Sequence, residues 1–275
     1  MFSSWADLTG RYLKSRFPAR LYIPCAAFLM IAGLAGGPER DPARAALAGA
    51  LALGLLLQFR LMDDLADRDC DRLAHPDRVL PQAPSLIPFN ALLALAFLFN
   101  GAVIAARPAA GHRLPVFLIL TAAALCWYGW VRAFLTDTVA GYHVVVAKYP
   151  VFTYLVSAES SPGRRLLLAM ALVYLCFALY EALHDDGLRT SPAVTPALVL
   201  ETGALFAVAM AMAADLSKKG AALALLQVLL ACAGLAVLTR LIGRRRTGPW
   251  SSWASYLVFA IGLALSVTFS IGELR

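Results

Sequence analysis

Between Arg60 and Pro81 the chain reads RLMDDLADRDCDRLAHPDRVLP, a run of acids and arginines that follows directly on an apolar stretch. At about 100° per residue, Asp64, Asp67 and Asp71 fall within an arc of roughly 60°, with Arg60 one turn earlier on the same stripe. Carboxylates crowded on one helical face repel by roughly 0.2–0.5 kcal/mol per pair unless a cation holds them together. A hard divalent ion does that. Mg²⁺ takes oxygen ligands, sheds water reluctantly, and is held by one or two carboxylates together with a substrate's phosphates. The stretch therefore reads as a metal and diphosphate site at the end of a membrane helix, with Pro76 and Pro81 as stops. The competing reading is a solvated acidic loop neutralised by its own Arg68, Arg72 and Arg78.

Two further features carry possible chemistry. Tyr180 to Arg189 reads YEALHDDGLR; on a helix Glu181 and Asp185 are about 40° apart, with His184 on the adjoining flank. A mixed-charge helix end is commonplace, so this pair gains weight only beside the first cluster. Lys148 lies inside an apolar segment, where a cation costs about 2.5–3.5 kcal/mol on insertion scales and normally faces a polar interior or a partner. It reads as a point charge for diphosphate oxygens, against the alternative of snorkelling to an interface. Pro150 removes a helical hydrogen bond and kinks the segment beside it.

The elements that must position these residues are membrane helices. The 275 residues are 60% hydrophobic and only 15% charged, against roughly 45–50% apolar in a soluble domain. Apolar stretches near 19–36, 43–62, 85–106, 114–135, 141–157, 165–184, 195–214, 220–242 and 253–272 approach the roughly 17–25 residues that cross a bilayer core. Backbone groups facing lipid must pair within the segment, so helices are expected throughout. Residues 1–18 form a basic, amphipathic interfacial segment with no cleavable leader pattern. No composition shift divides residues 1–275 into two domains. The formal charge of +7 is carried between apolar spans, as membrane-surface anchors rather than a nucleic-acid face. More Lys and Arg fall on the side of the N-terminus than on the other. This favours a cytoplasmic N-terminus and places both acidic clusters on the cytoplasmic face. The five cysteines have neither disulfide nor zinc spacing.

At these residues the chain resembles the UbiA superfamily of intramembrane prenyltransferases and related terpene cyclases. The family's first motif is similar to NDxxDxxxD followed by PxRPxP; here stand Asp63-Asp64-Leu65-Ala66-Asp67-Arg68-Asp69-Cys70-Asp71 and then Pro76-Asp77-Arg78-Val79-Leu80-Pro81. Asp64, Asp67, Asp71 and Arg78 match position by position, and Asp63 stands where the family has asparagine. Glu181 and Asp185 match the second, DxxxD-type motif only if Glu is accepted for Asp. The resemblance implies an all-α, polytopic bundle of nine transmembrane helices, with a central lateral cavity capped on the cytoplasmic side. It further implies Mg²⁺ and an isoprenyl diphosphate of ten to twenty carbons held between the two acidic clusters. The metal-ligand candidates are then Asp63, Asp64, Asp67, Asp71, Glu181 and Asp185. Lys148, Arg78 and Arg60 are the diphosphate partners, with Asp64, Asp67 and Lys148 central to catalysis.

The chemistry so implied is ionisation of an allylic diphosphate in an apolar chamber, where aromatic faces steady the cation. Trp127, Tyr128, Trp130, Tyr149, Phe152, Tyr154, Phe177 and Tyr180 are the aromatic residues at hand. The altered asparagine creates DDLAD, similar to the DDxxD of soluble terpene synthases, and inclines the reading to a cyclase, with prenyl transfer to an aromatic or lipid acceptor as the alternative. A transporter with an intramembrane ion path is a third reading, disfavoured because the acids gather at helix ends. Nothing in the sequence sets the product, the acceptor or the oligomeric state.

Overall fold

The computed structural model describes residues 5–34, 41–107, 110–135, 138–157, 162–184, 193–214, 216, 220–224, 226–227 and 258–268. Every regular element among them is helical. The chain opens with α1 (Trp5–Arg16) and α2 (Ala19–Leu34), which meet at a bend of 69°. Pro18 accounts for the elbow: it lacks an N–H and biases Phe17 away from helical geometry. The Phe17 and Tyr22 rings stack across it at 3.8 Å. The third helix, α3 (Pro42–Ala66), starts where the Asp41 carboxylate accepts from the Ala43 N–H at 2.9 Å, with Pro42 in the first turn. Its 25 residues span about 37 Å at 1.5 Å each. That exceeds a bilayer core of about 30 Å, so the helix is long enough to cross one, with Asp63 and Asp64 in its last turn.

Two short helices follow, α4 (Arg68–Ala74) and α5 (Val79–Gln82), then α6 (Ile87–Ala105) and α7 (Ala110–Cys126). A π-helical turn, Trp127–Val131, joins α7 to α8 (Arg132–Leu135) within one apolar span, Ala110–Leu135. Beyond it come α9 (Val139–Val146) and α10 (Lys148–Val156). The break between them is the effect expected of Pro150, which cannot donate to the Val146 carbonyl and crowds it. Next are α11 (Arg164–His184) and α12 (Val194–Ala213), and a shorter apolar helix occupies Val258–Thr268.

Six helices among the described residues are long and apolar enough to cross a membrane, or seven if the bent α1–α2 pair is one span. They coincide with the first seven expected spans. The expected span 220–242 falls largely outside the described residues, and 253–272 is described only over Val258–Thr268.

The chain forms two compact units: residues 1–26 with 46–133, and residues 27–45 with 134–275. In the first, the buried face of α1, Leu8 and Tyr12, packs with Leu61, Leu80, Ala83 and Phe89. The expected interfacial segment is thus a docked helix with one protein-facing side. A polar clamp ties three membrane helices of this unit: Asn100 Nδ2 donates to Gln58 Oε1 at 2.8 Å, and Gln58 Nε2 to Thr121 Oγ1 at 3.3 Å. Such contacts contribute about 0.6–2 kcal/mol each between membrane helices. The clamp needs α3 and α6 close together, and Gly54 allows it: a Cβ there would lie 2.2 Å from Asn100 Oδ1. In the second unit α11 packs against α9, α10 and α12. Tyr149 stacks on Phe177 at 3.6 Å, and Phe177 meets Phe259 edge-on at 4.8 Å.

Gly54→Val is expected to force α3 from α6 and to destabilise the protein by about 1–3 kcal/mol, the usual cost of overpacking. Thermal unfolding in detergent reads this as a lowered Tm. Gly10→Ala is the control, since nothing lies within 4 Å of a Cβ at that position.

Candidate active site

The acidic stretch is less a loop than the continuation of α3. Asp63 and Asp64 belong to the last turn of α3, Asp67 sits at the joint, and Asp69 and Asp71 lie in α4. The two neighbouring acids of α3 point to different partners. Asp64 is buried, its side chain only 4% exposed. Its Oδ2 accepts from the Tyr12 hydroxyl at 2.8 Å and from Arg16 Nε at 3.2 Å. Its Oδ1 faces Arg16 Nη2 at 2.5 Å and Arg60 Nη2 at 3.0 Å. A carboxylate offers about four acceptor positions, and these contacts use them all. In this arrangement Asp64 docks α1 through Tyr12 and Arg16 and also holds Arg60.

Asp63 and Asp67, one helical turn apart, face a different cation. Arg132 Nη1 lies 3.3 Å from Asp63 Oδ1 and 2.7 Å from Asp67 Oδ1, and Arg132 Nη2 donates to Asp67 Oδ2 at 3.0 Å. Both carboxylates keep access to water, at 23% and 27% exposure. Partial burial raises the Asp67 carboxyl above its usual range, and the Asp63 charge adds to this while Arg132 opposes it. Arg60 bridges the two environments, with Nη1 at 3.5 Å from Asp63 Oδ2 as well as its contact to Asp64. Asp71 is buried and takes Arg78 Nη1 at 2.5 Å, which ties α4 to the segment ahead of α5.

The expected single stripe of Asp64, Asp67 and Asp71 is accordingly divided. Among the described residues no three or more Asp, Glu, His or Cys side chains stand together as metal ligands would. What converges is the pair Asp63 and Asp67, on one guanidinium. The donor set suits a hard ion of the Mg²⁺ type, which needs only one or two carboxylates when phosphates supply the rest. The Arg132 guanidinium marks the point where both acids reach a shared positive charge.

Arg132, Arg16 and Tyr12 are partners that the sequence did not single out. The position of Arg132 follows from the π-helical turn immediately before it, which inserts an extra residue and turns the side chains beyond it relative to a plain α-helix. Its guanidinium carbon also lies 5.9 Å from the Tyr128 ring. A charge near the end of the apolar run 114–135 was the available signal.

In the second unit, Lys148 is half-buried at the first residue of α10, its Nζ 5.3 Å from the centre of the Tyr149 ring. Glu181 is half-buried near the end of α11, and Asp185 lies outside the described residues. Of the aromatic candidates, Phe152 and Phe177 are fully packed, whereas Trp130 is 72% exposed on its span. Cys25 and Cys176 are buried, while Cys70 and Cys126 are exposed; all of these are free thiols.

No protein-family model and no curated protein matches the sequence. Solved structures do. A UbiA homologue from Aeropyrum pernix K1 in its apo form superposes with a TM-score of 0.64 at 19% identity, over 93% of this chain and 97% of that one. The chain has the UbiA fold. A structure of digeranylgeranylglyceryl phosphate synthase in membranes matches with the same TM-score of 0.64 at 11% identity, over 98% of this chain and 99% of that one. The likeness to these UbiA-type structures spans both compact units, and it agrees with the apolar spans in making the chain an integral membrane protein.

The two adjacent acids of α3 are expected to respond differently to substitution. Asp64→Ala leaves Arg16 and Arg60 without their buried counter-charge, a loss of about 3–5 kcal/mol. Limited proteolysis and thermal unfolding should show α1 released and Tm lowered. Asp67→Asn should unfold close to the parent temperature, because Asp63 keeps Arg132 paired.

Proposed function

We propose that the chain is a Mg²⁺-dependent intramembrane enzyme that ionises an isoprenyl diphosphate. One observation carries this reading: Asp63 and Asp67 converge on a single cationic point at the end of a membrane-spanning helix, in a chain with the UbiA fold. Mg²⁺ held there supplies charge neutralisation for the departing diphosphate. The arginines of the same cluster do the remaining electrostatic work. Arg132 occupies the acids in the absence of substrate and becomes a diphosphate partner once they are otherwise engaged. Arg60 stays anchored by Asp64 and presents its second face toward Asp63, so its charge is positioned before substrate arrives. Asp71 holds Arg78, which fixes the short helices beside the site. Preorganised positive charge of this kind acts without reorganisation as negative charge grows on the leaving group.

The apolar helices supply the dry surroundings in which the allylic cation then reacts. Two fates follow. The DDLAD string, with Asp63 where the family has asparagine, favours cyclisation. The likeness to digeranylgeranylglyceryl phosphate synthase favours transfer of the isoprenyl group to an acceptor. Lys148 as a phosphate partner, and Glu181 and Asp185 as further acids, are proposed from the motif resemblance alone. The Lys and Arg bias supports a cytoplasmic face for the site.

Incubation of the purified protein with Mg²⁺ and a C10, C15 or C20 allylic diphosphate, without an acceptor, tests this reading. Release of diphosphate with a cyclic hydrocarbon or alcohol is the expected outcome for a cyclase; turnover that begins only when an aromatic or lipid acceptor is added assigns transfer instead. Asp67→Asn is expected to lower either turnover by about 100-fold or more, as loss of a charge-stabilising group does. Parent-level diphosphate release from Asp67→Asn, or none from the parent with any of these substrates, would end the proposal.

A further inference from the structure

Tyr12, Arg16, Arg60, Asp63 and Asp64 all belong to the first compact unit, so the network they form lies within it. On the Asp64 carboxylate, Oδ2 takes the Tyr12 hydroxyl at 2.8 Å and Arg16 Nε at 3.2 Å, and Oδ1 takes Arg16 Nη2 at 2.5 Å. Arg60 adds only Nη2 to this carboxylate, at 3.0 Å. Its Nη1 is thereby left to Asp63 Oδ2, at a long 3.5 Å, and its Nε is buried without a hydrogen-bond partner. This guanidinium is firmly paired on one side and under-used on the other, and 28% of the side chain reaches solvent.

A buried carboxylate that loses a partner draws on those that remain, because an unmet charged acceptor is costly away from water. Arg60 is the cation that stays on Asp64 when Arg16 leaves it. A guanidinium meets a carboxylate best through two parallel N–H bonds. Without Arg16, therefore, Arg60 turns both prongs to Asp64 and withdraws Nη1 from Asp63. With α1 docked, Arg16 already provides the two-pronged contact through Nε and Nη2, and Arg60 keeps one prong for the open pair. The position of α1 and the direction of the Arg60 charge are thus linked in one equilibrium.

We propose that α1 is a latch coupled to the reaction site: Tyr12 and Arg16 are positioning residues that, through Asp64, keep Arg60 turned toward Asp63, and a diphosphate bound there with Mg²⁺ tightens α1 in return. The place of the diphosphate beside Asp63 rests on the function proposed above. Its oxygens take the Arg60 prong that now makes only the long contact to Asp63. A guanidinium drawn to a phosphate has less to give Asp64, which then depends more on Tyr12 and Arg16, the residues that hold α1. Linkage makes the effect reciprocal: the factor by which docking of α1 raises diphosphate affinity is the factor by which bound diphosphate raises docking. Tyr12 and Arg16 act on the site through Asp64 and Arg60, so their effect is on the aim of a charge.

Amide hydrogen exchange of residues 5–16 in the full-length protein in nanodiscs, with and without saturating inorganic diphosphate and Mg²⁺, reads the latch directly. Bound diphosphate is expected to slow exchange of α1 by about 10-fold in the parent, and Arg16→Gln to weaken diphosphate binding by about the same factor, inside the range of about 5–150-fold common for such couplings. Arg16→Lys keeps the charge without the two-pronged contact and should fall between. Tyr12→Phe keeps the ring against Phe89, whose centre is 5.6 Å away, and loses only the hydroxyl bond. It should weaken diphosphate binding in the same direction, and it tests the latch if the Arg16 variants do not fold. A helix that merely packs would lose Tm on these substitutions with diphosphate affinity unchanged. Parent-level affinity in both Arg16→Gln and Tyr12→Phe, or α1 exchange unmoved by bound diphosphate, overturns the latch. Failure of the parent to bind diphosphate with Mg²⁺ would defeat the function proposed above instead, and unfolding temperatures then decide the coupling. Asp63→Asn should shift Tm by less in Arg16→Gln than in the parent, because Arg60 has already turned to Asp64 there; equal shifts overturn the latch.

Discussion

Charge concentrated at the end of one membrane helix has to be neutralised, and α3 does this with arginines drawn from its neighbours. Its last turn carries Asp63 and Asp64 side by side. Adjacent residues on a helix point about 100° apart, so no single cation serves both fully. Asp64 turns toward α1 and collects Tyr12, Arg16 and Arg60. Asp63 turns with Asp67 toward Arg132. Divergence of two neighbouring side chains thus separates a closed, buried anchor from an open, solvent-reaching pair.

The anchor explains why the polar amino-terminal helix belongs to the folded unit. α1 would otherwise be held by Leu8 and Tyr12 on one narrow face, a small apolar area for a helix of 12 residues. Burying Asp64 with its guanidinium partners fixes where α1 sits, because a buried carboxylate tolerates few alternative geometries. Arg60 is shared between anchor and open pair, so the placement of α1 also sets the charge beside Asp63. The part-buried Arg78–Asp71 contact does the same for the short helices that follow. Around the open pair, the supporting groups are therefore held before any ligand is considered.

Much of this was legible from the chain. The first seven apolar runs coincide with helices, because length and apolar content decide membrane spans with little help from tertiary contacts. The break beside Lys148 followed from Pro150. The acid spacing contains the i, i+4 relation of Asp63 and Asp67, the pair that meets Arg132. What the spacing did not reveal was which of two adjacent acids faces inward. That depends on Tyr12 and Arg16, distant in sequence by 52 and 48 residues. Arg132 escaped notice for a second reason: the π-helical turn ahead of it shifts its direction, and a plain 3.6-residue period does not register that shift. Glu201 and His143 stand singly in apolar runs, where the surrounding hydrophobicity masks an isolated polar residue.

Two polar groupings of the molecule, Asp63 with Asp67 and, in the second unit, Glu201 with Tyr142 and His143, differ in composition. Stabilising a departing diphosphate calls for fixed positive charge, and guanidinium groups carry it at any working pH. Asp63 and Asp67 have Arg132 beside them; Glu201 has hydroxyl and imidazole groups and a bare oxygen. Glu201 stands within apolar helices, and among the described residues its contacts are to Tyr142 and His143 and to no guanidinium.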